Sequence, residues 1–412
     1  MPRAQSTPLL APVFDEPTVT QDPTKFGTPH PSDTQLYNQV QKLLTKDVVS
    51  FSKMSGPANG LYSLEKAFGP KGATIIQQIQ ASKQIVFHAG GDSGASAQGK
   101  FAHELSVADQ VTLDCHTSAA SDMPRFFYHL GDVVYDFGES QYWFDQFYDP
   151  FRNYPAPIFA IPGNHDSFVI PGTKTADEPL KIFARNFCAA KPNITREAAS
   201  LHRTAGTQPG VYFTLDAPFV RIIGLFSNAL EDPGVISNQS GKFKDVPNFQ
   251  IDYLKAQLQQ IKDEAYKGAV LLAVHHPPFS YSAKATGAGG NHGSSSDMLR
   301  EIDTICKQVG VYPHAFLSGH AHNYQRYTRT VDFGGKDPYD VPFIVCGDSG
   351  HNVNPIVTSK KGQPPAVDPA NGMDVSYLEN KPGIKSKGLL LEKHDSLNYG
   401  YLRISVDKEQ LR

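Results

Sequence analysis

The sequence predicts an α/β fold, and three observations carry that expectation. Short continuous apolar runs recur between residues 84 and 317, and each ends in a glycine-polar turn. Stretches with helical spacing lie between them. Continuous rather than alternating apolar residues suit strands buried on both faces. Strand, polar loop and helix in repetition is the α/β pattern.

The elements follow in chain order. Residues 1–33 are punctuated by Pro2, Pro8, Pro12, Pro17, Pro23, Pro29 and Pro31. That spacing forbids helix and central strand, so an extended or disordered arm is expected. Residues 34–83 form a helical extension capping the main domain. Leu36, Val40, Leu43 and Leu44 mark a helix over Thr34–Thr45, Ser55-Gly56-Pro57 breaks it, and a second helix covers Ala73–Ser82. The catalytic domain would then occupy 84–412. Its buried strands are expected at residues 84–88, 126–130, 156–161, 269–274 and 315–317, with helices at 95–113, 140–148, 180–187, 249–266 and 295–309. In the fourth helix Leu254, Leu258, Ile261 and Ala265 make an apolar stripe. Val211–Leu215 and Val220–Phe226 flank Ala217-Pro218 and read as a hairpin joining the two halves. Gly388–Leu391 and Tyr399–Val406 read as another pair. Asp407-Lys408-Glu409 predicts a turn into one more strand beyond Arg412.

Bulk properties exclude several classes. With 412 residues, 40% hydrophobic and 19% charged, the chain can bury a large core and is not a disordered protein. A net charge of −3 and no dense basic block argue against a nucleic-acid binder or membrane patch. Cys115, Cys188, Cys306 and Cys346 form no CxxC pair, so neither a zinc knuckle nor a disulfide framework is expected, but free thiols in a reducing compartment. No stretch is long and apolar enough to span a bilayer, and Leu9–Val13 is too short for a signal peptide. A cytoplasmic protein is expected, or a periplasmic or secreted one if a preceding signal has been removed.

The strand ends carry the chemistry. They read Gly91-Asp92-Ser93-Gly94, Gly131-Asp132-Val133-Val134-Tyr135, Gly163-Asn164-His165-Asp166, His275-His276-Pro277-Pro278 and Gly319-His320-Ala321-His322. Ligands of open α/β sheets bind where strands end, so five such loops can converge on one crevice. Carboxylates, an amide, imidazoles and a phenol without thiolate suit hard or borderline metals rather than a structural zinc finger. Two metals about 3.5–4 Å apart need a bridging ligand, which a carboxylate supplies, and such a pair makes hydroxide from bound water at neutral pH. Only one of His275 and His276 can face the crevice, since successive strand residues point to opposite faces.

GDxG, GDxxY, GNH[DE], a strand-ending His and GHxH, in that order over roughly residues 84–350, resemble calcineurin-like metallophosphoesterases, specifically the purple acid phosphatase branch. The resemblance implies a four-layer α-β-β-α sandwich with two mixed sheets. It implies that Asp92, Tyr135 and His322 bind one metal, that Asn164, His275 and His320 bind the other, and that Asp132 bridges. The family's His-x-Pro pattern selects His275 over His276. Most of the family has Asp-x-His in the first motif; here Ser93-Gly94 follow Asp92, and Tyr135 replaces the missing imidazole. A phenolate favours Fe³⁺ at that position, with Fe²⁺, Zn²⁺ or Mn²⁺ at the other. His165 is implied to contact phosphate or protonate the leaving group, with Asp166 orienting it. His292, in Gly289–Gly293, resembles a substrate-facing histidine.

The implied activity is hydrolysis of small phosphomonoesters by a metal-bound hydroxide. The alternatives are a phosphodiesterase using the same site, or a phosphate-binding protein without catalysis. Other polar residues have plainer readings. His88 and His129 sit inside apolar strands and read as packed or supporting groups. His314 reads as packed or solvated. Asp348, in a second Gly-Asp-Ser-Gly, reads as structural or supporting, and His351 as a rim residue. Tyr324 and Arg326 read as supporting residues behind GHxH.

Overall fold

The computed structural model describes residues 10–15, 34–45, 61–95, 98–169, 178–281, 292–333, 337–356, 372–379 and 382–412. The expected break at Ser55-Gly56-Pro57 and the glycines of 289–290 lie outside them. The N-terminal helix α1 (Thr34–Thr45) comes first, followed by β1 (Leu61–Ser63), α2 (Leu64–Ala67) and α3 (Gly72–Ser82). The α/β part runs β2 (Gln84–Gly90), α4 (Gln98–Thr117), β3 (Pro124–His129), β4 (Ile158–Ala160) and α5 (Lys181–Phe187). It continues with β5 (Phe213–Ala217), β6 (Val220–Leu225), α6 (Phe249–Asp263), β7 (Ala269–Val274), α7 (Ser296–Val309) and β8 (Ala315–Ser318). The last strands are β9 (Tyr324–Asp332), β10 (Tyr339–Cys346), β11 (Met373–Asp374), β12 (Lys385–Asp395) and β13 (Leu402–Asp407).

Two mixed sheets result. The larger has the order β1-β5-β6-β7-β8-β10-β9-β12-β11, and the smaller β13-β2-β3-β4. In the smaller sheet β2, β3 and β4 are parallel and β13 is antiparallel. In the larger, β6, β7, β8 and β10 run parallel, while β5 is antiparallel to β6 and β9 is antiparallel to β10 and β12.

Residue parity sorts each strand's two faces. Phe87, Phe126, Tyr128 and Phe159 of the small sheet meet Phe213, Ile222, Leu271 and Leu317 of the large one in a single inter-sheet core. Residues of opposite parity, Phe127 and Ala160 on one sheet and Ile223 and Leu272 on the other, pack outward beneath helices, with Ala108 of α4 and with Leu254 of α6 and Ile302 of α7. Successive side chains of a strand point to opposite faces, so continuous apolar runs fill both. The layers are therefore α-β-β-α, as expected.

Several details differ from the sequence expectation, among them the stretch 140–148, which is a 3-10 turn and a π turn rather than an α-helix. The segment 34–83 is not helical throughout, because β1 adds an edge strand parallel to β5. The two tail strands do not pair with each other: β12 joins β9 in the large sheet, whereas β13 joins β2 in the small one. The turn after β13 brings the chain back on itself, with Val406 bridging to Leu411. Part of the proline-rich arm is also docked. The Val13 N–H donates to Thr204 Oγ1 at 3.0 Å, and the Phe14 ring meets Phe68 edge-on. The four cysteines are free, and no described helix is long and apolar enough to cross a membrane.

Candidate metal centre

Asp92 follows β2, Asp132 follows β3, Asn164 lies beyond β4, His275 caps β7, and His320 and His322 follow β8. The C-terminal ends of parallel strands from both sheets thus face one crevice. The local backbone is unusual. Asp92, Asp132, His320 and His322 all have positive φ, at 59°, 54°, 69° and 27°. Non-glycine residues in that region carry strain of order 1–3 kcal/mol, which collects where function over-determines the chain. Gly131 (φ 101°) and Gly163 leave room: a methyl group on the first would press on His275 Nδ1, and on the second on the Asp132 carboxylate.

The seven side chains implied as ligands form one buried cluster with two halves. In one, the Tyr135 hydroxyl lies 3.0 Å from Asp92 Oδ1 and 3.2 Å from His322 Nε2, and the last two atoms are 3.3 Å apart. In the other, His275 Nε2 lies 3.1 Å from Asn164 Oδ1 and 3.2 Å from His320 Nδ1. Asp132 Oδ2 joins them, 3.1 Å from the Tyr135 hydroxyl and 3.2 Å from His275 Nε2. Asp132, His275 and His320 by themselves make a group that could hold a cation.

Neighbouring carbonyls set the imidazole tautomers. Nδ1–H of His275 donates to the Leu130 carbonyl at 2.8 Å, and Nε2–H of His320 to the Glu231 carbonyl at 2.7 Å. Each leaves its other nitrogen turned into the cluster, which is how metal-ligating histidines are held.

The electrostatics ask for a cation. Asp92 and Asp132 are buried, and among the described residues no lysine or arginine pairs with either. Buried carboxylates without a positive partner are costly. Burial alone would depress the His275 imidazole, but the Asp132 carboxylate lifts it to about 9. Burial would likewise raise the Asp132 carboxyl, but the His275 and His165 charges carry it well below the usual range. Burial, then the two carboxylate charges, pushes the Tyr135 phenol far above its ordinary value. Two carboxylates, a phenol, an amide oxygen and three imidazoles converging, among the described residues, without a lysine or arginine are a donor set that fits two metal ions.

The other named residues fall as follows. His165 Nδ1–H donates to the Asp136 carbonyl at 2.9 Å, and the His165 N–H donates to Asp132 Oδ1. Its ring lies 4.1 Å from that of Tyr135. Asp166 does not orient His165. Its carboxylate instead accepts from the backbone N–H groups of Val133, Val134 and Gly163 and pins two motif loops together. His292 is brought to the cluster, its ring 3.8 Å from His320 and its Nδ1 3.6 Å from Glu231 Oε1. His276 turns away to Ser227 and Leu230, and His129 holds Ser93 Oγ at 2.9 Å from below. His314 accepts from the Val270 N–H. Asp348 contacts Cys346 Sγ, and Arg326 lies away from the crevice on β9.

His351 is more than a rim residue. Its N–H donates to the Asp92 carbonyl, and its ring stacks on Tyr135 at 3.6 Å and 13°. Glu231, Asp232 and Tyr37 also belong to the crevice and carry no motif. Asp232, His292 and His320 form a second group of cation-holding geometry, sharing His320 with the first. Glu231-Asp232-Pro233 follows the loop after β6, and an acidic pair between two motif loops was the available sequence signal.

No curated protein matches the chain by sequence. Among solved structures the chain is similar to GAP50, described as the anchor in the inner membrane complex of Plasmodium. The two share 14% identity over 80% of this chain and 82% of that one, with a TM-score of 0.46. It is also similar to PhoD, at 13% identity over 80% of this chain and 65% of that one, with a TM-score of 0.42. The calcineurin-like phosphoesterase family model matches residues 91–324, more than half of the chain and all five motif loops. The chain belongs to the calcineurin-like phosphoesterase family.

Proposed function

We propose that the protein hydrolyses phosphomonoesters at a binuclear metal centre of the purple acid phosphatase type. Asp92, Tyr135 and His322 hold the first ion, Asn164, His275 and His320 the second, and Asp132 bridges. The observation that carries this is Asp132 Oδ2, within 3.1 Å of the Tyr135 hydroxyl and 3.2 Å of His275 Nε2. One carboxylate oxygen thereby faces both halves of the donor set. When bound, the ions supply the hydroxide nucleophile at neutral pH and neutralise phosphate charge. Tyr135 as a hard phenolate donor supports Fe³⁺ in the first half; the mixed set of the second half suits Fe²⁺, Zn²⁺ or Mn²⁺.

The chain's own residues do the rest. His165, with Nδ1 tied to the Asp136 carbonyl, keeps Nε2 for the phosphate or for the leaving-group oxygen. His292, over His320, extends the imidazole wall towards substrate.

Purified protein tested for metal content, colour and turnover of p-nitrophenyl phosphate and bis-p-nitrophenyl phosphate checks this. Two equivalents of metal, a violet or pink phenolate-to-iron band and faster monoester turnover are expected. Faster diester turnover would move the same site to phosphodiester substrates. No tight metal and no turnover after Fe/Zn or Mn reconstitution would overturn the reading.

A further inference from the structure

The N-terminal helix reaches the proposed active site through one residue. Tyr37, 127 positions before Asn164, accepts a hydrogen bond from Asn164 Nδ2 at 2.7 Å. Its own hydroxyl donates to Glu231 Oε2 at 3.2 Å, and Asn164 Nδ2 also lies 3.3 Å from that oxygen. The Tyr37 ring stacks on His165 at 4.1 Å and 16°, with Phe137 and Phe168 edge-on behind it. Tyr37 is 3% exposed although its helix lies outside both sheets.

We propose that Tyr37 is a positioning residue of the metal centre, fixing the Asn164 amide and the His165 imidazole from a helix outside the family match. An amide has two similar ends, and only its hydrogen bonds decide which faces inward. Both acceptors offered by Tyr37 and Glu231 lie on the Nδ2 side, so Oδ1 is turned to His275 Nε2 and to the second metal. The ring acts on a different atom set. His165 is held between Tyr37 on one side and Tyr135 at 4.1 Å, with Nδ1 tied to Asp136. The stack covers a ring face rather than the Nε2 edge, which favours positioning over blockage. Among the described residues nothing bonds His165 Nε2.

This inference rests on the metal assignment proposed above, and the experiment separates the two. Full-length wild type, Tyr37→Phe and Tyr37→Leu are loaded with two equivalents of Zn²⁺ or Fe/Zn. Each equivalent's affinity is then measured by chelator competition, alongside kcat and KM with p-nitrophenyl phosphate. Tyr37→Phe is expected to weaken the second equivalent about 10-fold or more, leaving the first unchanged, as loss of a group supporting a ligand does. Tyr37→Leu is expected to add a fall in kcat with KM little changed, because His165 loses its stacking partner. Should Tyr37→Leu fail to fold, Tyr37→Phe keeps the ring and carries the test alone. Unchanged affinity for both equivalents in Tyr37→Phe would overturn the proposal. Higher activity in either variant would overturn it too, making the helix a plug. A wild type without metal or turnover would instead sink the underlying reading.

Discussion

On the proposed reading the bridging residue and the phosphate-facing residue fail differently when changed. Asp132→Asn removes the carboxylate charge that both halves share, so metal retention and turnover should both be lost. His165→Ala leaves all seven donors in place, and should keep two equivalents of metal while kcat falls about 10²–10³-fold. Metal analysis beside p-nitrophenyl phosphate kinetics checks both; equal metal loss in the two variants would mean that the roles are exchanged. The sequence pointed to the seven side chains that the structure clusters because four of their five loops open on a glycine after an apolar run, and His275 ends such a run directly. It also separated His275 from His276, whose nitrogens are both taken by Ser227 and Leu230. Tyr37 and the stacking role of His351 were not legible. Their contacts bridge elements far apart in the chain, and spacing records only neighbours along it.

Strands buried on both faces were legible, and the alternating pair β9 and β10 was not. β7 was expected at its observed bounds, whereas β9, with every second residue buried along Tyr324–Asp332, passed unread behind GHxH. The tail strands were legible as strands but not as partners, since pairing register and sheet membership depend on the whole topology. One buried strand residue gives the pH dependence of its element. His88 on β2 receives a hydrogen bond from Tyr154 at Nδ1 and holds Asp114 at 2.8 Å through Nε2. Burial lowers its imidazole to about 4, against a partial lift from Asp114. The unfolded chain takes up this proton near pH 6.5, the folded one only near 4. The contribution is therefore complete above pH 6.5 and lost as pH falls towards 4, on the order of 3 kcal/mol. Urea unfolding of wild type and His88→Gln at pH 7 and pH 4.5 should show the wild type falling more steeply. Parallel pH dependence in the two would contradict the assignment.

At the scale of the whole molecule the crevice is a seam between the sheets. Asp92, Asp132 and Asn164 extend from the small sheet, and His275, His320 and His322 from the large one. The inter-sheet core joins the same two sheets by apolar contact. Metal ions bound across the seam would cross-link what that core only packs, and would bind the folded state alone because the donors are scattered over 231 positions, from Asp92 to His322. Free metal at about 100 times its Kd should then stabilise the native state by about 2.7 kcal/mol per site. For a chain of 412 residues each kcal/mol moves Tm by about 1 °C, so chelation should lower Tm by several degrees. The lowering should vanish in Asp132→Asn, which starts without its metals, and survive in His165→Ala. Calorimetry with and without EDTA checks this. A Tm indifferent to EDTA in a wild type that demonstrably loses its metal would mean that the apolar core alone holds the sheets together.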